Sequence, residues 1–215
     1  KAELLLANIK MLTVEDIMHF MHVKEALAIQ TKQRFDQLSF HENGYCAIEA
    51  YDGLQFKYMQ MEDLAMSELS YLQEHLRILS GFYGMLRPFD GVTPYRLEMQ
   101  ARLSVNGCPA LYAFWGDRLA RALAGEAGLV VDLASQEYSR AVLPHLPPSV
   151  EVLTCTFGEL RKDGRVVEKV TRQGDQTYLP MPFFMTATGL GWYFEGDIPS
   201  ERHFAGCLSN ARQTP

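Results

Sequence analysis

Between Leu79 and Met99 the chain reads LSGFYGMLRPFDGVTPYRLEM, and its second half can be neither a long helix nor a flexible linker. Pro88 and Pro94 hold the residues before them, Arg87 and Thr93, in extended conformations. Gly81, Gly84 and Gly91 stand in the same run, beside aromatic, arginine and acidic side chains. The result is a rigid loop. Loops of this kind that mix Arg, Asp, Tyr and Glu serve as sites. They also serve as buried connections held by side-chain hydrogen bonds. The sequence leaves both uses open.

Upstream, the periodicity is helical. Leu4, Leu5, Ile9 and Leu12 fit one helix face. Thr13 reads as the N-cap of a second helix, with Asp16 three residues on and an apolar stripe of Ile17, Phe20 and Met21. A third helix is predicted over Glu25–Leu38, burying Leu27, Ala28, Thr31, Phe35 and Leu38. The short turn at Met21–Lys24 makes the two either an ordinary helical pair or a helix-hairpin-helix, which meets phosphates with its hairpin backbone. The usual hairpin glycine is absent. His41–Gly44 reads as a turn and Tyr45–Ile48 as a short buried strand or extended segment ending before Asp52-Gly53. The spacing of Leu69, Leu72, Leu76, Leu79 and Tyr83 predicts a helix over Ser67–Leu86, capped by Ser67.

Downstream, Pro109–Ala124 is predicted as an amphipathic helix with Leu111, Trp115, Leu119, Ala122 and Leu123 on one face. Gly116 inside it costs about 1 kcal/mol against alanine unless close packing demands it. Leu129–Ala134 reads as a buried strand, and Ser135-Gln136-Glu137-Tyr138 as a capping box opening a helix through Val142. Such a junction exposes backbone N–H groups and suits an anion, although Glu137 would compete with one. Strands are predicted at Val150–Phe157 and Arg165–Val170, joined by a Lys162–Arg165 turn carrying Asp-Gly. The tail from Thr171 is rich in Gly, Pro and Thr, with Gly191–Phe194 its one expected strand. Interleaved helices and strands predict an α/β or α+β mixed single domain.

At 215 residues and 47% apolar side chains, the chain can bury a core, and dominant disorder is excluded. No apolar run reaches the ~18 residues of a membrane span, so no membrane partner is expected. The N-terminal apolar stretch is broken at Asn8 and Lys10, too short for a signal peptide, and a cytoplasmic location is expected. Cys46, Cys108, Cys155 and Cys207 form no C-x-x-C pair, so neither a zinc site nor a redox dithiol is signalled. His19 and His22 sit three apart without a zinc-protease ligand pattern. No metal and no cofactor is therefore expected. Dinucleotide, P-loop and nucleophile-elbow motifs are all absent.

The net charge of −6 argues against a uniformly basic nucleic-acid binder. Its distribution is uneven. Residues 41–76 carry one base and seven acids, whereas residues 77–121 carry six arginines, no lysine and three acids. Arginine offers a rigid fork for carboxylate or phosphate. The bland alternative is that these arginines pair locally with Asp90, Glu98 and Asp117.

Three runs, LRILSGFYGMLRPFDGVTPYRLEMQARL, LYAFWGD and VVDLASQEYSRAV, stand in this order from Leu76 to Val142. Together they strongly resemble the YaaA family of bacterial peroxide-stress-response proteins. The resemblance covers roughly residues 1–170, and GLGWYFEGD in the tail looks like the family's closing motif. It implies a single YaaA-like domain over residues 1–215, with a family-specific fold of a short central sheet, surrounding helices and a helix-hairpin-helix at Leu12–Phe35. It implies a cytosolic bacterial protein linked to oxidative stress and to limiting free intracellular iron, with a basic cleft associated with DNA. The family's opening strand with Ser-Pro-Ala-Lys and its late basic helix have no counterpart here, so both are expected to be missing from this chain or divergent in it.

The motif positions present are Tyr83, Arg87, Asp90, Pro94, Tyr95, Arg96, Glu98, Trp115, Asp117, Ser135, Glu137 and Tyr138. In the nucleic-acid reading, Arg87, Arg96 and Arg102 contact phosphate with Lys24 and Lys32, while Tyr95 or Trp115 stacks on a base. In the rival reading the chain is an enzyme for a small anionic or nucleotide-like substrate. Arg87 and Arg96 then clamp the anion, and Glu98, Asp117 or Glu137 moves a proton.

Overall fold

The computed structural model describes residues 1–40, 44–51, 56, 59 and 61–154, together with the backbone of 158–160, 166–168 and 183–187. Three helices open it: α1 (Ala2–Lys10), α2 (Val14–Met21) and α3 (Glu25–Gln37). Helix α1 buries Leu5, Leu6 and Ile9 and leaves Leu4 exposed, so its inner face is rotated from the predicted one. Thr13 caps α2 as predicted. Its hydroxyl accepts the Asp16 backbone N–H at 3.1 Å, and the Asp16 carboxylate accepts the Thr13 backbone N–H at 2.8 Å. An exchange of this kind stabilises a helix start by about 1 kcal/mol. His22 ends α2 in the left-handed region, with φ of 54°, a conformation usually left to glycine.

Two further elements follow: β1 (Tyr45–Cys46) and α4 (Ala47–Ala50). The strand predicted over Tyr45–Ile48 is therefore half strand and half helix. Its helical half is fixed by the backbone, since the N–H groups of Ala47 and Ile48 donate to the carbonyls of Asp90 and Pro88. Of the predicted His41–Gly44 turn, residues 41–43 lie outside the described residues.

The predicted helix over Ser67–Leu86 is corrected. The helix is α5 (Met66–His75), and the chain then extends as β2 (Leu76–Ser80) and turns back as β3 (Gly84–Leu86). All five residues of β2 are buried. A strand covered on both faces loses the alternation that would betray it, and Leu76 and Leu79 fit a helical spacing equally well. Nor does Ser67 cap α5. The N-cap is Ala65, whose N–H donates to Glu68 at 3.0 Å.

A short β4 (Gly91–Val92) pairs with β1. The helix predicted over Pro109–Ala124 is broken at Gly116 into α6 (Leu111–Trp115) and α7 (Arg118–Ala124). Gly116 has φ of 55° and ψ of −133°, outside any helix. Strand β5 (Leu129–Asp132) ends two residues before the predicted limit. Ser135 is the N-cap of α8 (Gln136–Ser139), but its side chain makes no cap bond. The expected box fails because its third helical position is Tyr138, which carries no carboxylate. The chain continues past Ser139 into a 3-10 turn at Leu143–His145 rather than a helix through Val142.

The tail holds β6 (Glu151–Thr154), β7 (Gly158–Leu160), β8 (Val166–Glu168) and β9 (Phe183–Ala187). Among the described residues the two predicted strands do not pair with each other. Strand β6 runs parallel to β5, and β7 pairs antiparallel with β8. The Lys162–Arg165 turn and the strand expected at Gly191–Phe194 lie outside the described residues. Strand β9, which the sequence reading missed, occupies the middle of the main sheet, whose order is β3-β2-β9-β5-β6. It is antiparallel to both neighbours, so β2 and β5 end on the same side.

Helices and sheet form the mixed α/β arrangement that the sequence predicts. At β2 and β5 the main sheet is covered on both faces. On one, Leu79 and Val130 join the core of α1–α3, α6 and α7; on the other, Leu76, Ile78 and Val131 pack with α4 and α5. Among the described residues no helix is long and apolar enough to cross a membrane.

Candidate functional site

The C-terminal end of β2 delivers Ser80, fully buried, to a cluster of hydroxyl groups. Ser80 Oγ accepts the backbone N–H groups of Phe82 at 3.1 Å and Tyr83 at 2.8 Å. It also hydrogen-bonds to the Tyr95 hydroxyl, which lies 2.6 Å from the Tyr51 hydroxyl. Tyr95 comes from the rigid loop after β4. Tyr51 stands just past α4, which is held by the backbone bonds of Ala47 and Ile48 to the carbonyls of Asp90 and Pro88, just before β4. The Tyr83 ring crosses the Tyr95 ring at 80° and 5.3 Å, and the Tyr83 hydroxyl accepts the Thr93 N–H at 3.0 Å. Burial pushes the Tyr95 and Tyr51 phenols above the ordinary value of 10.0, Tyr95 well above it. Both are proton donors at neutral pH.

Helix α8 brings the second motif to the same place. The Glu137 carboxylate accepts the Gln100 backbone N–H at 3.1 Å, and the Tyr112 hydroxyl donates to the Glu137 carbonyl at 2.9 Å. Burial raises the Glu137 carboxyl above 4.5, and the nearby Glu98 charge adds to the rise. The Tyr138 phenol is raised by burial and by Glu137, Tyr51 and Glu98 around it. Behind α8, the buried Asp132 carboxylate accepts from the Ala134 N–H at 3.0 Å and the Ser139 hydroxyl at 2.9 Å. Asp132 thereby fixes α8 to the end of β5.

Trp115 belongs to the scaffold of this cluster. It is buried at 5% exposure, and its indole N–H donates to the Gly81 carbonyl at 3.0 Å. Base stacking on Trp115, one of the sequence expectations, is therefore sterically closed. Gly81 is required by close approach, since a Cβ there would stand 2.7 Å from the Leu97 carbonyl.

The arginines do not gather. Arg87 follows β3, whose Leu86 pairs with Ile78, so it lies towards the start of β2 and away from Ser80. Its guanidinium stands 3.5 Å from Glu126, which also takes the buried Arg77 at 2.6 Å, and its backbone N–H donates to Asp90 at 2.7 Å. Arg96 pairs with Glu98 at 3.2 Å and Arg121 with Asp117 at 3.0 Å. Asp117 and Asp90 are thus engaged in local pairs rather than in the hydroxyl cluster. Arg102 is exposed, makes no ion pair among the described residues, and donates its backbone N–H to Phe20 near the end of α2 at 3.4 Å. Lys24 is the exposed N-cap of α3. Lys32 pairs with Asp36 and reaches the Lys10 carbonyl at 3.2 Å.

The structure therefore brings together Tyr83, Tyr95, Glu98, Glu137 and Tyr138 from the predicted set. It adds Ser80, Tyr51 and Tyr112, which sequence reasoning did not single out. Ser80 carried a usable signal: it ends an apolar run immediately before a glycine. Tyr51 carried only its place before Asp52-Gly53. Among the described residues, no three His, Cys, Asp or Glu side chains are grouped to hold a metal.

Residues 1–173 match the family whose description is peroxide stress protein YaaA. A UPF0246 protein of Desulfitobacterium hafniense (strain Y51) is 41% identical over 169 residues, covering 79% of this chain and 67% of that protein. A UPF0246 protein of Pediococcus pentosaceus is 44% identical over 167 residues, covering 78% and 66%. One from Lactiplantibacillus plantarum is 42% identical over 167 residues, covering 78% and 67%. The chain spans about two thirds of the length of the curated relatives it matches.

Proposed function

The chain belongs to the YaaA family of peroxide stress proteins, and from that premise we propose that it serves the cytoplasmic peroxide response by binding DNA. The contact surface is the turn between α2 and α3, flanked by Arg102. The observation that supports it is the Arg102–Phe20 backbone bond at 3.4 Å. This bond brings the backbone of the exposed Arg102, which makes no ion pair among the described residues, to the end of α2 next to the His22–Lys24 turn, where the left-handed His22 takes the conformation a hairpin glycine would have. Backbone N–H groups and a neighbouring cation are the usual means of gripping a phosphate. Arg87 has no part in this surface, and Arg96 contributes only if it leaves Glu98. The limiting of free iron is a downstream effect of nucleic-acid binding in this reading, not coordination by His19 and His22.

The test is fluorescence anisotropy with a short labelled duplex. Affinity should fall steeply with salt, because phosphate contacts release counterions. The double variant Lys24→Ala/Arg102→Ala should weaken binding and flatten the salt slope, while Arg87→Ala should do neither. Salt-independent binding, or loss with Arg87→Ala alone, would overturn the assignment.

A second reading, an enzyme or binding site for a small nucleotide-like molecule, is favoured by one observation: the Ser80–Tyr95–Tyr51 hydroxyl chain. The clamp of Arg87 and Arg96 on an anion is not part of it, since the two pair with different acids.

A further inference from the structure

We propose that Arg140, held in place by Tyr112, is a second phosphate contact, so that a bound duplex runs from the α2–α3 turn past Arg102 to the end of α8. The proposal rests on the DNA reading above and extends its surface.

The state of the side chain is the first observation. Arg140 directly follows α8, is exposed, and makes no ion pair among the described residues. Arg77, Arg87, Arg96 and Arg121 each face an acid instead. The Arg140 guanidinium lies over the Tyr112 ring, 5.3 Å from its centroid. That ring is itself anchored, because the Tyr112 hydroxyl donates to the Glu137 carbonyl at 2.9 Å. An arginine stacked on a fixed ring keeps its fork of N–H donors and loses little further freedom when it meets a phosphate.

Placement is the second observation. The Glu137 carboxylate accepts the Gln100 backbone N–H at 3.1 Å. Arg140 stands three residues past Glu137, and Arg102 two residues past Gln100. Chain reach alone then keeps the two arginine Cα atoms within roughly 20 Å of each other, the length of about six base pairs. The acids along this path are occupied: Glu137 takes the Gln100 N–H, and Glu98 takes Arg96. Two exposed guanidinium groups on one stretch of surface suit separate phosphates of one polymer.

Fluorescence anisotropy with the 215-residue chain and a labelled duplex of about twelve base pairs, long enough to cover both arginines, tests this. Arg140→Ala should weaken binding about fivefold near 0.1 M salt and lower the logarithmic salt slope by about 0.9. Arg87→Ala removes the same charge elsewhere and should do neither. Tyr112→Leu should weaken binding about threefold with Arg140 present and not at all in the Arg140→Ala background, whereas a ring that only packs would cost the same in both. Unchanged affinity and slope in Arg140→Ala, an equal loss in Arg87→Ala, or a Tyr112→Leu loss that persists without Arg140 would each overturn the proposal. The two assignments fail separately. A silent Arg140→Ala beside a weakened Lys24→Ala/Arg102→Ala removes Arg140 from the surface and keeps the turn. The reverse pattern keeps Arg140 and removes the turn, and no duplex binding by the unsubstituted chain overturns both.

Discussion

A Cβ built at Gly84 would stand 2.7 Å from the Trp115 ring, and the backbone there has φ of 90°. Both facts exclude a side chain, for different reasons. The left-handed backbone costs an L-residue about 1–2 kcal/mol. Forcing a methyl against a packed indole costs about 1–3 kcal/mol more. Gly84→Ala should therefore destabilise the chain by about 3 kcal/mol, read as a lowered urea midpoint with unchanged slope. Introduced into a Trp115→Leu background and measured against that variant, Gly84→Ala should cost less, by part of the packing cost and none of the backbone cost. A Gly84→Ala cost that vanishes in that background would mean that the backbone is unstrained. At this scale the sequence is only partly readable. Gly84 and Trp115 both draw notice, but 31 residues separate them in the chain, and nothing in their spacing says that they touch.

At the scale of elements, β9 does most to define the sheet and was least visible. Leu76 and Val131 both pair with Met185, so one backbone position serves two ladders. A proline at 185 removes an N–H from the middle of the sheet. Met185→Pro should abolish hydrogen-exchange protection at Leu76 and Val131 while sparing α2 and α3. Retained protection at Val131 would take β9 out of the sheet. The contrast with α2 shows where legibility comes from. Thr13 and Asp16 are local partners, and a local partner leaves a spacing in the sequence. The partners of β2 and β9 lie about a hundred residues apart in the chain. Burial on both faces also erased β2's alternation, so Leu76 and Leu79 were read as helix. The site follows the same rule. Tyr95 and Glu98 were legible because two prolines mark their loop as rigid, and Glu137 and Tyr138 because a strand ends just before them. Ser80 and Tyr51 become members only once the sheet and α4 are in place.

For the whole molecule, the buried carboxyls couple folding to pH. Burial raises Asp132 above its ordinary 3.8 and Glu137 above 4.5. Each therefore binds its proton more readily in the folded state, and its ionised form costs stability at neutral pH. That cost is relieved as pH falls through the raised folded value and is gone below the ordinary one. Asp16 has the opposite sign. The Thr13 N–H and hydroxyl lower its pKa, so its contribution is present above 3.8 and lost as pH falls through the lowered value. Asp132→Asn isolates one of these effects, because an asparagine carbonyl can still accept the Ala134 N–H and the Ser139 hydroxyl. The thermal midpoints of the unsubstituted chain and of this variant should be compared at a series of pH values. The unsubstituted chain should gain on the variant as pH is lowered from neutral towards 3.8, and the gap should stop changing below it. A gap that is constant with pH would mean that Asp132 ionises as freely in the fold as in the open chain. The two hydrogen bonds that hold α8 to β5 would then be sufficient to solvate its charge.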